Sequence, residues 1–384
     1  MRSPVPGLPE QLDGGLDRLL PAVASSLGVT GLCAAGDRTL AHADRAVVVL
    51  VDGLGAELLA RRGGHAPFLR RLAGQPSRAV TIGSGFPSTT ATSMATFGSG
   101  LRAGRHGLVG YEAFDPATGR VFNELSWEDG PDPRTWQPHR TVFEAAAAEG
   151  VDVVRVGPAF FDGSGLTRAA LRGGRFVAAD SLAARVDAAL TALRSSPRAL
   201  VYLYWGDLDK VGHVHGCSSW QWGDELESID AELARLASGR PPGTAVHITA
   251  DHGMVDVPLH RRLDLAHEPD LDAGVEHLAG EPRSLQLHCA PGAAAEVLAA
   301  WQERLGADAV VVTRDEAITA GWFGPVEDRV RPRVGEVIAT MTGEVAVVDS
   351  RHHRPELLAL IGLHGSLTRE EVAVPWLTVE AEGA

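Results

Sequence analysis

Three apolar runs in this chain stop on acidic side chains. RAVVVLV runs into Asp52-Gly53, ALVYLYW into Gly206 to Asp209, and AVHIT into Ala250-Asp251-His252. Asp209 and His213 are four residues apart, which puts both on one face if that segment turns helically. His215 would then point away, so His213 is the preferred member of that pair, and His364, after a late apolar run, can add another imidazole. Three carboxylates and three imidazoles form the mixed oxygen and nitrogen donor set that zinc or a comparable transition metal takes, enough for two ions. A hydroxyl belongs with them. In FPSTTATSMATFGSG, Phe86 to Gly100, a strand candidate at Ala79, Val80 and Ile82 turns through Gly83, Gly85 and Pro87 into a hydroxyl-rich helix, with Thr90 the best-placed residue of its first turn. Free backbone N–H groups and the positive end of the helix dipole there suit an anionic group such as phosphate.

Taken singly, these features have plain structural readings: Ser and Thr cap helices, and Asp-Gly after a strand is commonly a turn. Their value lies in convergence. A continuous apolar run such as RAVVVLVD is typical of strands buried on both faces of a parallel sheet. Helices expected at Val142 to Glu149, Ser181 to Ser195 and Trp220 to Ala237 alternate with strands at Val151 to Val156, Ala199 to Trp205 and Ala245 to Thr249. Such alternation implies a mainly parallel sheet with right-handed crossovers. The carboxyl ends of its strands share one edge, where ligands bind, so Asp52, Asp209, Asp251, His252 and Thr90 are expected to meet.

Elsewhere, a first helix is expected near Leu12 to Leu27, a hairpin within Glu112 to Trp127 turning at Asp115 to Gly119, and a loop over 128–141. From Val255 to Asp349 the regularity weakens; runs at Ser284 to His288 and Ala309 to Val312, with a helix at Ala293 to Leu305, predict a small α+β insertion. The expected fold is therefore α/β, a mainly parallel central sheet flanked by helices. Its core takes in residues 1–254 and 345–384, and 255–344 form the insertion, or cap.

Composition narrows the classes. The chain has 384 residues, 45% hydrophobic and 22% charged, so it can bury a large core. A net charge of −14 argues against nucleic acid or an anionic membrane surface as the main partner, since both call for clustered Lys and Arg. Cys33, Cys217 and Cys289 are too far apart in sequence for a disulfide framework or a C-x-x-C metal site. No stretch has the length of a signal peptide's apolar core or of a membrane span, so a cytoplasmic protein is expected. The remaining histidines, including His352 and His353, read as solvated, and most of the eight tryptophans as core or rim.

The order and spacing of these pieces resemble the alkaline phosphatase superfamily and, within it, the type I phosphodiesterase / nucleotide pyrophosphatase family. The resemblance rests on Val51-Asp52-Gly53, on Thr90 with the stretch ending GLRAGRHG, on Asp209 to Gly216 matching D-x-x-G-H-x-x-G, on Ala250 to Met254, and on Leu363-His364-Gly365. It implies one zinc held by Asp209, His213 and His364 and another held by Asp52, Asp251 and His252, with Thr90 as nucleophile. The position of the family's phosphate-contacting Asn is matched by Ser93, and Phe86-Pro87 precedes Thr90 where the family has Phe-Pro after the nucleophile. The chemistry implied is in-line attack on phosphorus by a metal-activated Thr90 hydroxyl, a covalent phosphothreonine, and its hydrolysis, on a small phosphorylated and nucleotide-like substrate. A sulfatase would need a C/S-x-P-x-R sequence, absent around all three cysteines, and a cofactor-independent phosphoglycerate mutase would use Ser in a longer chain. A phosphomonoesterase, which needs an added cationic clamp, and a fold that binds a phosphorylated ligand without turnover are the remaining alternatives.

Overall fold

The structure is a computed structural model that describes residues 14–32, 38–352 and 354–382, together with Val5, Gly7 and Leu12. Cys33, His353 and most of the first thirteen residues lie outside it. Among the described residues, the expected N-terminal helix is a short 3-10 turn, Leu16–Arg18, running into an α-helix, Leu19–Ser26.

The central sheet has seven strands, in spatial order Ala79–Gly83, Ala373–Val379, Thr244–Thr249, Arg45–Val51, Ala199–Trp205, Asp152–Gly157 and Arg175–Ala178. Arg45–Val51 pairs in parallel with both Ala199–Trp205 and Thr244–Thr249, and Asp152–Gly157 in parallel with both its neighbours. Only the closing strand, Ala373–Val379, runs the other way, antiparallel to Thr244–Thr249 and to Ala79–Gly83. Six strands therefore present their carboxyl ends at one edge. The middle strands are buried because helices cover both faces: in Arg45–Val51 every residue after Arg45 is buried and apolar, and all of Thr244–Thr249 is buried, its polar Thr244, His247 and Thr249 included.

A second, antiparallel sheet of six strands has the order Ala309–Thr313, Val337–Met341, Ser284–Cys289, Val275–Glu281, Glu112–Asp115 and Arg120–Asn123. The last two are the expected hairpin, which joins this sheet through the pairing of Glu112 with Gly280. Leu285, Leu287, Val297, Trp301 and Val337 form a core between this sheet and the Ala294–Leu305 helix. Residues 128–141 are less irregular than expected, with a short helix at Pro133–Trp136 whose first N–H groups are capped by Asp132.

Three of the histidines expected to be solvated are not. His106, His247 and His288 are 0%, 1% and 5% exposed. Burial is possible because the rings stay neutral. Nδ1 of His106 accepts the Leu108 N–H at 3.1 Å while Nε2 lies 3.0 Å from the Thr96 hydroxyl, and burial pulls the pKa of this residue, and of His247, down to about 3. Seven of the eight tryptophans are buried; Trp220 is exposed. Cys217 and Cys289 are free thiols, and among the described residues no helix is long and apolar enough to cross a membrane.

Candidate metal centre and nucleophile

Asp52, Asp251 and His252 sit just past the ends of parallel strands and Asp209 one turn beyond another, whereas His364 follows Gly362–Leu363, which pairs antiparallel with Val255–Asp256 outside the central sheet. The Asp52 N–H bonds to the Trp205 carbonyl at 2.8 Å, prolonging the pairing of those strands by one step and fixing where the side chain emerges. Gly53 follows with φ +74°, and a Cβ there would lie 3.2 Å from Asp209, so the glycine both makes the turn and lets the Asp209 segment close in. Asp209 and His213 are on the Asp207–His215 helix, with His213 Nε2 3.3 Å from Asp209 Oδ2. His215 is turned away, exposed and beside Gln221. Thr90 opens the Thr90–Ser99 helix after an extended Thr89, and the first N–H to bond back along the chain is that of Ser93, at 2.9 Å to the Thr89 carbonyl. The N–H groups of Thr90, Ala91 and Thr92 precede it, as the free donors of a helix start do. Ser93 lies one turn further on, fully buried, with its hydroxyl unpaired.

Two triads result. The donor atoms of Asp209, His213 and His364 lie within 4.8 Å of one another, and so do those of Asp52, Asp251 and His252. The triads adjoin, with the His252 and His364 rings stacked at 3.6 Å between centroids. Thr90 Oγ1 is 3.2 Å from His252 Nε2.

The hydrogen bonds around the three imidazoles fix their tautomers. Nδ1 of His213 is 2.7 Å from the Gly362 carbonyl, Nδ1 of His252 is 3.0 Å from the Gly253 carbonyl and Nδ1 of His364 is 3.0 Å from the Ser88 carbonyl. A carbonyl only accepts, so in each neutral ring Nδ1 carries the proton and Nε2 the lone pair. Those lone pairs face carboxylates: His252 Nε2 is 3.3 Å from Asp52 Oδ1 and 3.5 Å from Asp251 Oδ2. Lone pair against carboxylate is repulsive unless a proton or a cation stands between them. Asp52 Oδ1, Asp209 Oδ1 and Asp251 Oδ2 are also buried without any hydrogen-bond partner, a costly state for a carboxylate oxygen. The donor set therefore fits cations, and its carboxylate, imidazole and hydroxyl chemistry fits zinc-like ions.

Electrostatics point the same way. Burial, then the charges of Asp251 and Asp209, push Asp52 well above the usual carboxylate range, while a short hydrogen bond from the Tyr204 hydroxyl opposes the shift. Asp251 is raised as well, chiefly by burial and then by Asp209, although His252 and the Gly53 N–H oppose this. Burial would raise Asp209 too, but His213 and then His364 and His252 outweigh it and hold that carboxyl low. His213 is raised despite burial because Asp209 faces it, and His364 is lowered by burial and by the neighbouring His252. The strongest charges on these groups are one another's, and no Arg or Lys is among them. A divalent cation reverses this balance by stabilising the ionised carboxylates and neutral imidazoles together.

Two contributors had no local signature. Tyr204 is the next-to-last residue of the strand Ala199–Trp205. Glu281 comes from the second sheet, with Oε2 3.6 Å from His364 Nδ1, and no motif marks it.

The sequence profile of the type I phosphodiesterase / nucleotide pyrophosphatase family matches residues 46–367. The chain belongs to that family. An uncharacterised pyrophosphatase/phosphodiesterase of Schizosaccharomyces pombe is 27% identical over 238 residues, 59% of this chain and 48% of that protein, so the chain spans about half the length of this curated relative. Among solved structures, murine ectonucleotide pyrophosphatase/phosphodiesterase 5 superposes with a TM-score of 0.70 at 19% identity, over 86% of this chain and 87% of that one. Phosphonoacetate hydrolase of Sinorhizobium meliloti, solved with phosphonoacetate, gives a TM-score of 0.67 at 20% identity, over 90% and 92%. The fold is that of the alkaline phosphatase superfamily.

Proposed function

We propose that this member of the type I phosphodiesterase / nucleotide pyrophosphatase family is a metal-dependent phosphoester hydrolase that cleaves phosphodiester or pyrophosphate bonds through a covalent phosphothreonine on Thr90. Asp209, His213 and His364 would hold one divalent ion and Asp52, Asp251 and His252 the other, with zinc the ion the donors suit best. Bound there, two such ions supply Lewis acidity that makes a hydroxyl nucleophilic and stabilises charge on a departing oxygen. The observation that carries the reading is Thr90 Oγ1 at 3.2 Å from His252 Nε2, on a helix start beside the Asp52, Asp251 and His252 triad.

The chain's own residues perform the rest. The Ser88, Gly253 and Gly362 carbonyls keep the three rings in the Nδ1-protonated tautomer, so that all three Nε2 atoms are ligands rather than donors. Free N–H groups in the first turn after Thr89 favour phosphoryl oxygens, whose negative charge grows during transfer. A diester is favoured over a monoester because no guanidinium or ammonium is among the charges that act most strongly on the site, so a second phosphoryl charge lacks a partner. A complex of the murine relative with AMP supports a nucleotide-like substrate.

The test is a paired rate assay on zinc-loaded protein, bis-p-nitrophenyl phosphate against p-nitrophenyl phosphate, with metal content measured on the same sample. Faster diester cleavage with about two zinc ions per chain is expected. Faster monoester cleavage moves the assignment to a phosphatase, and two ions with no turnover on either makes it a binding protein. Thr90→Ala should keep its metal and lose more than ~1,000-fold in kcat; near-parental turnover removes the nucleophile assignment.

A further inference from the structure

The second sheet reaches into the metal centre at one point, the end of the Val275–Glu281 strand. Glu281 is 7% exposed, with Oε2 3.6 Å from Nδ1 of His364 and Oε1 buried without a partner. The chain opposite is shaped around it. Gly365, next to that histidine, has φ +127°, and a Cβ there would stand 2.6 Å from the Glu281 carboxyl carbon, so glycine is the residue that admits the acid.

Contacts on both sides hold the acid in place. Arg283, two residues on, forks onto Glu371 with two bonds of 2.7 Å, and Glu371 in turn accepts the Ser366 N–H at 3.0 Å. Ser88, whose carbonyl receives His364 Nδ1, bonds back through its own N–H to Gly365 at 3.2 Å and through its hydroxyl to the Ser366 carbonyl at 2.7 Å. The His364 ring thus lies between the loop that leads to Thr90 and a carboxyl group of the second sheet.

Resting on the two-ion reading above, we infer that Glu281 is a positioning residue for the Asp209, His213 and His364 triad. Burial raises the Glu281 carboxyl well above the usual carboxylate range, and a cation on the triad opposes that shift; ionised beside the Nδ1–H of His364, the carboxylate makes that ring a better donor at Nε2 and fixes its orientation, the role an acid behind a metal-ligating imidazole plays. It acts on one triad only, because His364 has a carboxylate near Nδ1 as well as a backbone carbonyl, whereas the carboxylates facing His213 and His252 lie at Nε2.

The experiment titrates Co2+ into metal-free protein, with affinity read by calorimetry and by competition with a chromophoric chelator, and compares the parent with Glu281→Gln, which keeps the shape and removes the charge. One of the two sites should weaken ten- to a hundredfold and the other stay within twofold. Asp251→Asn isolates the Asp209 triad and Asp209→Asn isolates the other. Glu281→Gln should weaken the ion remaining in the first background and not in the second, whereas equal weakening in both would mean that Glu281 only supports the fold. Unchanged affinity in the Asp251→Asn background overturns the inference while leaving the proposed function standing. A parent protein that takes up no Co2+ or Zn2+ overturns the two-ion reading itself.

Discussion

Arg283→Met should be among the most damaging single substitutions in this chain outside the metal centre. Arg283 and Glu371 are both 0% exposed and meet in a two-pronged pair at 2.7 Å. The same guanidinium also donates to the Gly343 carbonyl at 2.8 Å and the Val345 carbonyl at 2.6 Å. Removing it leaves Glu371 as a buried carboxylate without its counter-charge, a change that costs ~3–5 kcal/mol where measured. Against a total stability of ~5–15 kcal/mol that is about a fifth or more. Glu371 keeps its bonds from the Ser366 N–H and the Thr368 hydroxyl, which places the variant toward the lower end of that range. Urea unfolding followed by circular dichroism would measure it; if the second sheet melts separately, the loss belongs to the transition that includes Val275–Glu281. Arg283→Met combined with Glu371→Leu removes the stranded charge and should recover ~2 kcal/mol, though Ser366 then loses its acceptor. A single variant costing under ~1 kcal/mol, or a double variant no better than the single, would refute the claim that this pair ties the second sheet to the His364 loop.

Two further outcomes are expected. Zinc held at a hundred times its dissociation constant should raise unfolding stability by ~2.7 kcal/mol per site, so a chelator should lower Tm clearly and Asp251→Asn should roughly halve the effect; a Tm indifferent to chelator argues against both sites. Acid should also destabilise the chain through its buried histidines. His247 titrates at about 3 folded and 6.5 unfolded, so between those values the unfolded state holds more protons and stability rises with pH by ~1.4 kcal/mol per unit. Glu124, raised to about 7 chiefly by burial, acts in the opposite sense, since its contribution is full below 4.5 and lost as pH rises through 7. Comparing His247→Gln with the parent between pH 4.5 and 6 isolates the first effect: the slope should fall by ~1.4 kcal/mol per unit, and equal slopes would show that the ring is not held neutral.

How far the site could be read from sequence depended on whether its information is local. Asp52, Asp209, Asp251 and His252 each follow an apolar run, and the parallel topology alone brings such positions to one edge. His213 follows from helical spacing, and Thr90 from its place at a helix start. His364 also follows an apolar run, but its short strand, Gly362–Leu363, pairs with Val255–Asp256 outside the central sheet, so the parallel topology does not place it and the resemblance to known proteins assigned it to its triad. Glu281 was invisible because its contact with His364 crosses between two sheets. The buried histidines were misread for a more instructive reason. His247 lies within Thr244–Thr249, a strand flanked by strands on both sides and buried at every position, so the rule that exposes polar residues fails there. A histidine in the middle of such a run is better read as a neutral ring with partners.

Strand ends determine which atoms gather in this centre, but they leave open which nitrogen of each ring is offered. That choice belongs to three carbonyls on connecting segments, Gly362, Gly253 and Ser88. The Gly253 N–H bonds to the Glu371 carbonyl at 2.7 Å, and Ser88 is joined to Gly365 and Ser366, whose neighbour in turn is the Glu371 carboxylate held by Arg283. Two of the three tautomer-setting contacts therefore converge on Glu371, and so on the second sheet. A fold that only needed to bring six donors together would not require this. The arrangement follows if the connecting segments, unsupported, would let His252 and His364 turn either nitrogen toward the ions, and the second sheet is what removes that freedom.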